Sequence, residues 1–417
     1  FPSCRLTISV YSQFCMSKGV ILLVSPSFPP MEGGVAMATY EMARDLQCLG
    51  SDIHVLTPES GLPPDSSLPD PCSVTRISFV SSHETRHRID ACLEHIHPSL
   101  VIFHSWQDWH RDYMAALCRE RNIPMIIRSH GCHTDFHSFF RIQYPPFFGI
   151  KKWITSFPTI RRNVNKITGH LHLVCLDDHG SLFKGYDYYY AKKRGMPNFT
   201  VIPNTFLPLQ PSSFSFRKKY HLEHSLLFSC PASASVRKNQ KAFIRHVKKS
   251  NIKGIQFIFL VPQYNSYAEQ MEKEADGDPA FRFFYGLPRH EVQAAIIESY
   301  AVFLYSIQEQ QPLTLLEAMS CGVPWIAPDV GGISTLQGGI VLKKRNTRNL
   351  QQALLQMTQE NTRKILSLAG KQFWCHRYSP KVVYQQWEIL FNDLLKKNRV
   401  STCSRSESAD IHSPFKT

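Results

Sequence analysis

The sequence lacks the features that mark several large classes of protein. No apolar run reaches the roughly 18 residues that a membrane-spanning helix needs. The twelve cysteines include no C-x-x-C pair, the usual spacing of zinc ligands and redox dithiols. The dinucleotide-binding pattern G-x-G-x-x-G and the fixed period of a solenoid are also absent. We therefore expect chemistry that depends on neither a zinc site nor a dinucleotide fingerprint.

Acidic residues are scarce relative to basic ones. The chain has 47 Lys and Arg against 33 Asp and Glu, which gives a net charge of +14. Nucleic-acid binding would explain this excess, but the sequence has no zinc-finger pairs, no RNP-like run and no recognition helix with base-reading spacing. A phosphorylated substrate and an anionic membrane surface explain the charge more simply. We expect no nucleic-acid partner.

What is present fits two α/β domains. A chain of 417 residues is long enough for two, and 43% hydrophobic residues with 12% aromatics can fill their cores. Short apolar runs alternate with helical segments, a pattern that favours parallel sheets covered by helices. The predicted strands are 19–25, 50–57, 226–230, 256–261, 281–285, 301–305 and 323–327, and the predicted helices include 36–49 and 313–319.

Two carboxylates, Glu309 and Glu317, lie eight positions apart around a predicted helix start. Pro312 suits the first turn of that helix, because its missing N–H would have no partner there, and Gly322 suits the helix end. Ligands of parallel sheets bind beyond the carboxyl ends of the strands, where amides at helix starts attract phosphate. Carboxylates accept hydrogen bonds from hydroxyl groups, so one acid can reach a sugar and the other a ribose.

Two glutamates at this spacing often occur by chance, one as a solvated loop acid and the other as a surface helix acid. The residues that follow them are more specific. Glu309-x7-Glu317 is followed by Ala-Met-Ser-Cys-Gly-Val-Pro-Trp-Ile-Ala and then by Gly331-Gly332. This run resembles the donor-site pattern of retaining glycosyltransferases of family four, the glycosyl transferases group 1. The resemblance extends from about residue 18 to 395. It implies the GT-B fold, in which two Rossmann-like domains face each other, with parallel sheets, across a cleft.

The resemblance also implies a domain organisation. Val201-Ile-Pro203-Asn204 resembles the I-P-N-G segment at which the family passes from one domain to the next, with Thr205 in place of the glycine. We predict a non-native or disordered leader (1–15), an N-terminal acceptor domain (16–200), a linker (201–215), a C-terminal nucleotide-sugar domain (216–375), helices that brace the first domain (376–397) and a disordered tail (398–417).

Several residues take donor-site roles by the same resemblance. Gly33 and Gly34, at a strand-to-helix turn, would let the backbone approach the donor. His130 ends a strand in His-Gly and would touch the donor sugar across the cleft; His104, His110, His133 and His137 are weaker candidates. Glu309 would orient the sugar and Glu317 the ribose. The phosphates would lie against the helix start formed by Pro312, Leu313 and Thr314.

The expected diphosphate clamp is incomplete. Family members carry an arginine and, a few residues later, Lys-Gly, and both cations hold the diphosphate. Lys238 matches the lysine, but Ala232 or Ser233 occupies the arginine position and Asn239 replaces the glycine. Arg237 is the candidate substitute. The clamp is either rearranged or weakened, and the catalytic candidates are His130, Lys238 and Glu309.

The implied activity is transfer of a hexosyl group from a nucleotide-diphosphate sugar to an acceptor hydroxyl with retention of configuration. The acceptor would be a glycan or a lipid-linked molecule in surface glycan, lipopolysaccharide or glycolipid synthesis. No cofactor or metal is required, because helix-start amides and Lys238 can neutralise the diphosphate. Two alternatives stay open: a sugar phosphorylase or nucleotide-sugar epimerase of the same fold, and a degenerate, non-catalytic binding subunit.

A basic and aromatic stretch, 141–166, bears on location. It is either an interfacial patch that contacts an anionic membrane and brings the enzyme to a lipid-linked acceptor, or an acceptor-side loop whose aromatics pack inward. The sequence gives these interpretations equal weight. We expect a cytoplasmic protein, peripheral at the inner face of a membrane in the first case. The residues are Arg141, Phe147, Phe148, Lys151, Lys152, Trp153, Ile154, Phe157, Arg161, Arg162 and Lys166.

Overall fold

The computed structural model describes most of the chain. The described residues are 19–31, 33–61, 69–78, 82–105, 111–130, 171–178, 186–193 and 195–409. The predicted membrane patch 141–166, the leader 1–15 and the candidates His110, His133 and His137 lie outside them.

Within these residues, the N-terminal part forms a seven-stranded parallel sheet in the order β3-β2-β1-β4-β5-β6-β7. Its strands are β1 (Val20–Val24), β2 (Asp52–Pro58), β3 (Ser73–Ile77), β4 (Leu100–Phe103), β5 (Met125–Arg128), β6 (Leu171–Cys175) and β7 (Phe199–Val201). Its helices are α1 (Gly34–Cys48), α2 (Ser82–Ile96), α3 (Arg111–Glu120) and α4 (Tyr186–Lys193).

Residues from 216 to 357 form a second, six-stranded parallel sheet in the order β10-β9-β8-β11-β12-β13. Its strands are β8 (Leu226–Pro231), β9 (Ile255–Val261), β10 (Phe281–Tyr285), β11 (Ala301–Phe303), β12 (Trp325–Pro328) and β13 (Gly339–Leu342). The helices here are α5 (Phe216–Lys219), α6 (Gln240–Ser250), α7 (Ser266–Ala275), α8 (Arg289–Ile297), α9 (Leu313–Ser320) and α10 (Thr347–Met357), and two terminal helices follow, α11 (Glu360–Arg377) and α12 (Pro380–Ala409).

The predicted α/β class with two parallel sheets is confirmed. Parallel strands are buried on both faces, which is why they appear in the sequence as continuous apolar runs. In β1, for example, Leu22 pairs with His54 of β2 on one side and with Val101 of β4 on the other. The core of the second domain is aromatic, and the rings of Phe243 and Phe303 stack with centroids 4.1 Å apart.

Local predictions around the two glutamates hold with one correction. Gly322 has a positive φ of 74° just after α9, and the amide of Val323 donates to the carbonyl of Ala318 at 2.8 Å, as expected of a glycine-terminated helix. Pro312, however, precedes the helix instead of occupying its first turn. Its backbone is extended, and its carbonyl accepts the first helical hydrogen bonds, so α9 begins at Leu313.

The last helix, α12, returns to the first domain. The Tyr384 hydroxyl donates to Asp45 Oδ2 of α1 at 3.0 Å, and Trp387 packs in the same buried cluster as Ile21 of β1. At the connector, Thr205 donates to the carbonyl of Tyr378 at 2.6 Å, a bond that glycine could not make. The helix continues into the stretch predicted to be disordered and ends at Ala409.

No helix in the described part of the chain is long and apolar enough to cross a membrane.

Candidate active site

Glu309 lies in the loop between β11 and α9, at the carboxyl edge of the second sheet. Its Oε1 accepts hydrogen bonds from Lys238 Nζ at 2.5 Å and from Ser306 Oγ at 2.6 Å. The carboxylate is buried, so Glu309 is not the solvated loop acid of the alternative interpretation. The pair with Lys238 connects this loop to the turn after β8.

The turn that carries Lys238 begins at Ser235. The amides of Lys238 and Asn239 both donate to the Ser235 carbonyl at 3.0 Å. Asn239 has a φ of 58°, and asparagine tolerates this left-handed conformation, which explains how it can occupy a position where the family has glycine.

Arg237 is placed differently from Lys238. Its carbonyl accepts a hydrogen bond from the Ile307 amide at 2.8 Å, but its side chain is exposed and makes no ion pair with the described residues. The structure thus brings Lys238 to Glu309 and leaves the guanidinium of Arg237 outside this contact.

Two adjacent side-chain amides, those of Gln310 and Gln311, also connect the Glu309 loop to the first domain. Gln310 Nε2 donates to Asp177 Oδ2 at 3.3 Å and lies 3.5 Å from Asp187 Oδ1. Gln311 Nε2 donates to the Leu176 carbonyl at 3.1 Å, and its Oε1 accepts from the Asn204 amide at 2.7 Å. The sequence prediction missed both glutamines, although they directly follow Glu309. Their side chains set where Glu309 stands relative to the first domain.

The paired glycines Gly331 and Gly332 make this packing possible. Gly331 has a φ of 57°, and a Cβ on it would overlap the carbonyl oxygen of Glu309. A Cβ on Gly332 would lie 2.8 Å from Asp177 Oδ2. The Gly332 amide donates to the Gln310 carbonyl at 2.9 Å. Side chains at these two positions would displace the loop that carries the acid.

The predicted phosphate-binding helix start follows immediately. The first amides of a helix have no partner within it, so those at the start of α9 are available to an anion. Thr314 Oγ1 donates to the carbonyl of Pro231, the last residue of β8, at 2.9 Å. This bond holds the start of α9 beside the strand from which the Lys238 turn departs.

Glu317 is buried in α9 and forms an ion pair with Arg289, the first residue of α8. It is therefore not a surface helix acid. Glu41 of α1, in the first domain, pairs with Arg44 and interacts electrostatically with both Arg289 and Glu317. Burial raises the pKa of Glu41 to about 7. Neither Arg289 nor Glu41 carries a local sequence signal, because the partners come together only in the fold.

His130 directly follows Ser129 at the end of β5. Its Nε2 lies 3.4 Å from His104 Nδ1, and the two rings stack with centroids 5.6 Å apart. His104 Nδ1 also lies 3.0 Å from the Thr39 hydroxyl. Burial and the nearby Arg128 lower the pKa of His130 to about 3, and they lower the pKa of His104 well below its usual range. Both imidazoles are therefore neutral near pH 7.

Arg128 lies close enough to both histidines to act on them electrostatically. It is buried, and one Nη donates to Asn204 Oδ1 of the I-P-N segment at 2.7 Å. Its guanidinium lies 5.6 Å from the Trp387 ring of α12. Burial lowers the pKa of Arg128 to about 10. Since that value is still far above neutral, Arg128 is a fixed positive charge at this edge of the sheet.

Gly33 and Gly34 lie at the start of α1 and are exposed. Gly33 has a φ of 139°, and a Cβ on either glycine would meet no atom of the described residues within 4 Å. In the described residues, no group of three His, Cys, Asp or Glu side chains is placed to hold a metal ion.

Two models of known protein families match separate parts of the chain. The family model Glycosyltransferase Family 4 matches residues 32–167, and the model Glycosyl transferases group 1 matches residues 223–360. No curated protein matches the chain.

Solved structures match nearly the whole chain. Sucrose-phosphate synthase from Thermosynechococcus elongatus has a TM-score of 0.69 at 15% identity, covering 91% of this chain and 100% of the synthase chain. Anabaena Alr3699/HepE in complex with UDP and glucose has a TM-score of 0.69 at 13% identity, covering 90% and 100%. WaaG, a glycosyltransferase involved in lipopolysaccharide biosynthesis, has a TM-score of 0.65 at 14% identity, covering 89% and 99%. These likenesses confirm the predicted GT-B fold.

Proposed function

Because the chain belongs to the glycosyl transferases group 1 family, we propose that it transfers a hexosyl group from a nucleotide-diphosphate sugar to an acceptor hydroxyl with retention of configuration. The contact of Lys238 with Glu309 carries this proposal, because it places a cation and a hydroxyl-binding acid side by side at the start of α9. Neighbours of the same fold have been solved with UDP and with UDP-glucose.

The ligand-free pair is suited to exchange partners when the donor binds. A phosphate oxygen would compete for Lys238 Nζ, with the amides at the start of α9 as further donors. Glu309, released from the lysine, would accept hydrogen bonds from sugar hydroxyls, and Ser306 would keep its second contact on the carboxylate. Glu317 would accept from the ribose hydroxyls.

The chemical step needs stabilisation of the leaving diphosphate. The acceptor hydroxyl would attack the anomeric carbon from the leaving group's face while the bond to the diphosphate oxygen breaks, and that oxygen would take the proton. Lys238 and the α9 amides would stabilise the developing negative charge. His130 is neutral, so it would meet the sugar with one N–H donor and one acceptor nitrogen.

A second candidate, a non-catalytic binding subunit, is favoured by one observation. The Arg237 side chain is exposed, so the contacts of the described residues place only one cation of the Lys238 turn in the site. Such a subunit would bind the donor without transferring its sugar.

The proposed acceptor is a glycan or a lipid-linked molecule, the broad class expected from the family. The neighbour WaaG acts in lipopolysaccharide biosynthesis, which supports a role in surface glycan or glycolipid synthesis. Contact with an anionic membrane through 141–166, and a cytoplasmic location at its inner face, rest on the sequence alone.

A screen of nucleotide sugars by thermal shift, followed by mass spectrometry of products formed with membrane extract, tests the proposal. A nucleotide sugar should raise the melting temperature and yield a glycosylated product whose anomeric proton coupling matches that of the donor. If no nucleotide sugar or nucleoside diphosphate stabilises the protein, the donor site is wrong. Binding without any transfer would identify the binding subunit, and an inverted product would refute retention.

A further inference from the structure

The ion pair between Arg289 and Glu317 has one buried side and one accessible side. The side chain of Glu317 is 7% exposed, whereas that of Arg289 is 28% exposed. Gly286 and Pro288, on the segment that leads from β10 to Arg289, are exposed as well. The side chain of Arg289 is therefore partly accessible next to the carboxylate, and a ligand can approach it there.

Arg289 contacts an acid of its own domain and interacts electrostatically with an acid of the other domain. Glu317 contacts it within the second domain, and Glu41 acts on it from α1 of the first. Glu41 is itself paired with Arg44, which also contacts Asp45 at 2.7 Å. Because the contact with Glu317 uses one Nη of the guanidinium, Arg289 can keep its position and still present other N–H groups to a ligand.

The position of Arg289 next to Glu317 indicates which part of a bound nucleotide it would contact. Under the proposed function, on which this step rests, Glu317 accepts hydrogen bonds from the ribose hydroxyls. The base is joined to C1′ of the ribose, next to the carbon that carries the 2′-hydroxyl. A group in contact with Glu317 is therefore within reach of the base. The phosphates lie in the other direction, toward the start of α9 and Lys238.

We propose that Arg289 reads the base of the donor and selects a keto base, uracil or guanine, over an amino base, cytosine or adenine. A guanidinium has five N–H donors and no acceptor. It can donate to O4 of uracil or to O6 of guanine, as arginine commonly does in base recognition. Cytosine and adenine carry an amino group at the equivalent atom, which would set N–H against N–H. The donor is therefore a uridine or guanosine diphosphate sugar.

Calorimetric titration of the full-length chain with UDP, CDP, GDP and ADP tests this assignment. UDP and CDP form a matched pair, because their bases differ only along one edge, where uracil has O4 and N3–H and cytosine has an amino group and an unprotonated N3. We expect UDP, GDP or both to bind at least about tenfold more tightly than their amino counterparts. In Arg289→Ala this preference should shrink to less than about threefold, and in Arg289→Lys, which retains a cation for Glu317, it should be intermediate.

Arg282→Ala is the control, because Arg282 on β10 donates to the Tyr220 carbonyl at 2.7 Å and is not in the site. This variant should keep the preference of the wild type. Loss of cooperative melting in Arg289→Ala would shift the test to Arg289→Lys, which keeps the ion pair. Binding of all four diphosphates without a keto preference, or a preference that survives in both Arg289 variants, overturns the assignment of Arg289. Failure of all four to bind would instead reject the proposed function.

Discussion

Lys238 Nζ lies 2.5 Å from Glu309 Oε1 although the two residues are 71 positions apart in the sequence. The contact joins the turn after β8 to the loop after β11, and both groups are largely buried. Removing either partner would leave the other charge in a poorly solvated position. The pair therefore couples the local stability of the site to its function.

Lys238→Met should weaken binding of a nucleoside diphosphate by about ten- to a hundredfold, because a charge-assisted contact to phosphate is lost. Sugar transfer should fall further, by about 10²–10³-fold, since charge on the leaving diphosphate is no longer stabilised. Calorimetry and product formation measure the two effects. Lys241→Met is the control, because Lys241 contacts Gln270 on α7 at 3.4 Å instead of Glu309. Equal losses in both variants would contradict the assigned role of Lys238.

Gly331→Ala should abolish transfer in a protein that remains folded, because the new Cβ would push the carbonyl of Glu309 out of place. Gly277→Ala controls for backbone strain alone. Gly277 has a φ of 69°, but a Cβ there would meet no atom within 4 Å. We expect the control to lose about 1 kcal/mol of stability and to keep its activity. Circular dichroism melting and product assays separate these outcomes, and an active Gly331→Ala enzyme would refute the steric argument.

Gln311→Ala should reduce the free energy of unfolding by about 1–3 kcal/mol, because the Asn204 amide and the Leu176 carbonyl would lose their partner at the domain boundary. Hydrogen exchange in residues 306–312 should speed up. Urea denaturation and exchange mass spectrometry measure the two effects. The matched variant Gln351→Ala removes a bond to the Ser250 carbonyl within the second domain. If it accelerates exchange in 306–312 to the same degree, the amide of Gln311 has no special role there.

Glu41 should make the protein less stable as the pH rises. Burial raises its pKa from 4.5 to about 7, so between those values the folded protein holds a proton that the unfolded chain has released. Its contribution to stability therefore declines across this range, by up to about 3 kcal/mol. Compared with Glu41→Gln, wild type should lose that amount between pH 4.5 and pH 8 in urea denaturation.

The exposed acid Glu84, paired with Arg88 on α2, provides the control for this pH series. Its replacement by glutamine removes an exposed carboxyl group instead of a buried one. A Glu41→Gln profile parallel to the wild type would contradict burial as the cause of the raised pKa.

The sequence was sufficient to predict structure wherever the residues that act together are neighbours along the chain. The apolar runs of β1 and β8 predict buried parallel strands, because both faces of such strands are covered. Glu309, Pro312 and Glu317 fall within one loop and helix, so their order along the chain already places them at one sheet edge. The flanking glycines Gly331 and Gly332 were also identified from the sequence. The reason that glycine is needed there, close contact with Glu309 and Asp177, is visible only in the fold.

The fold class, the GT-B resemblance and the position of the acids follow from local sequence patterns, because periodicity and turn chemistry act over a few residues. Which charges meet depends on the folded chain. It paired Lys238 with Glu309 while leaving Arg237 exposed, and it brought Arg289 to Glu317 beside Glu41 of the other domain. Contacts of this kind depend on where two sheets and their loops converge in space, and no spacing along the chain records that.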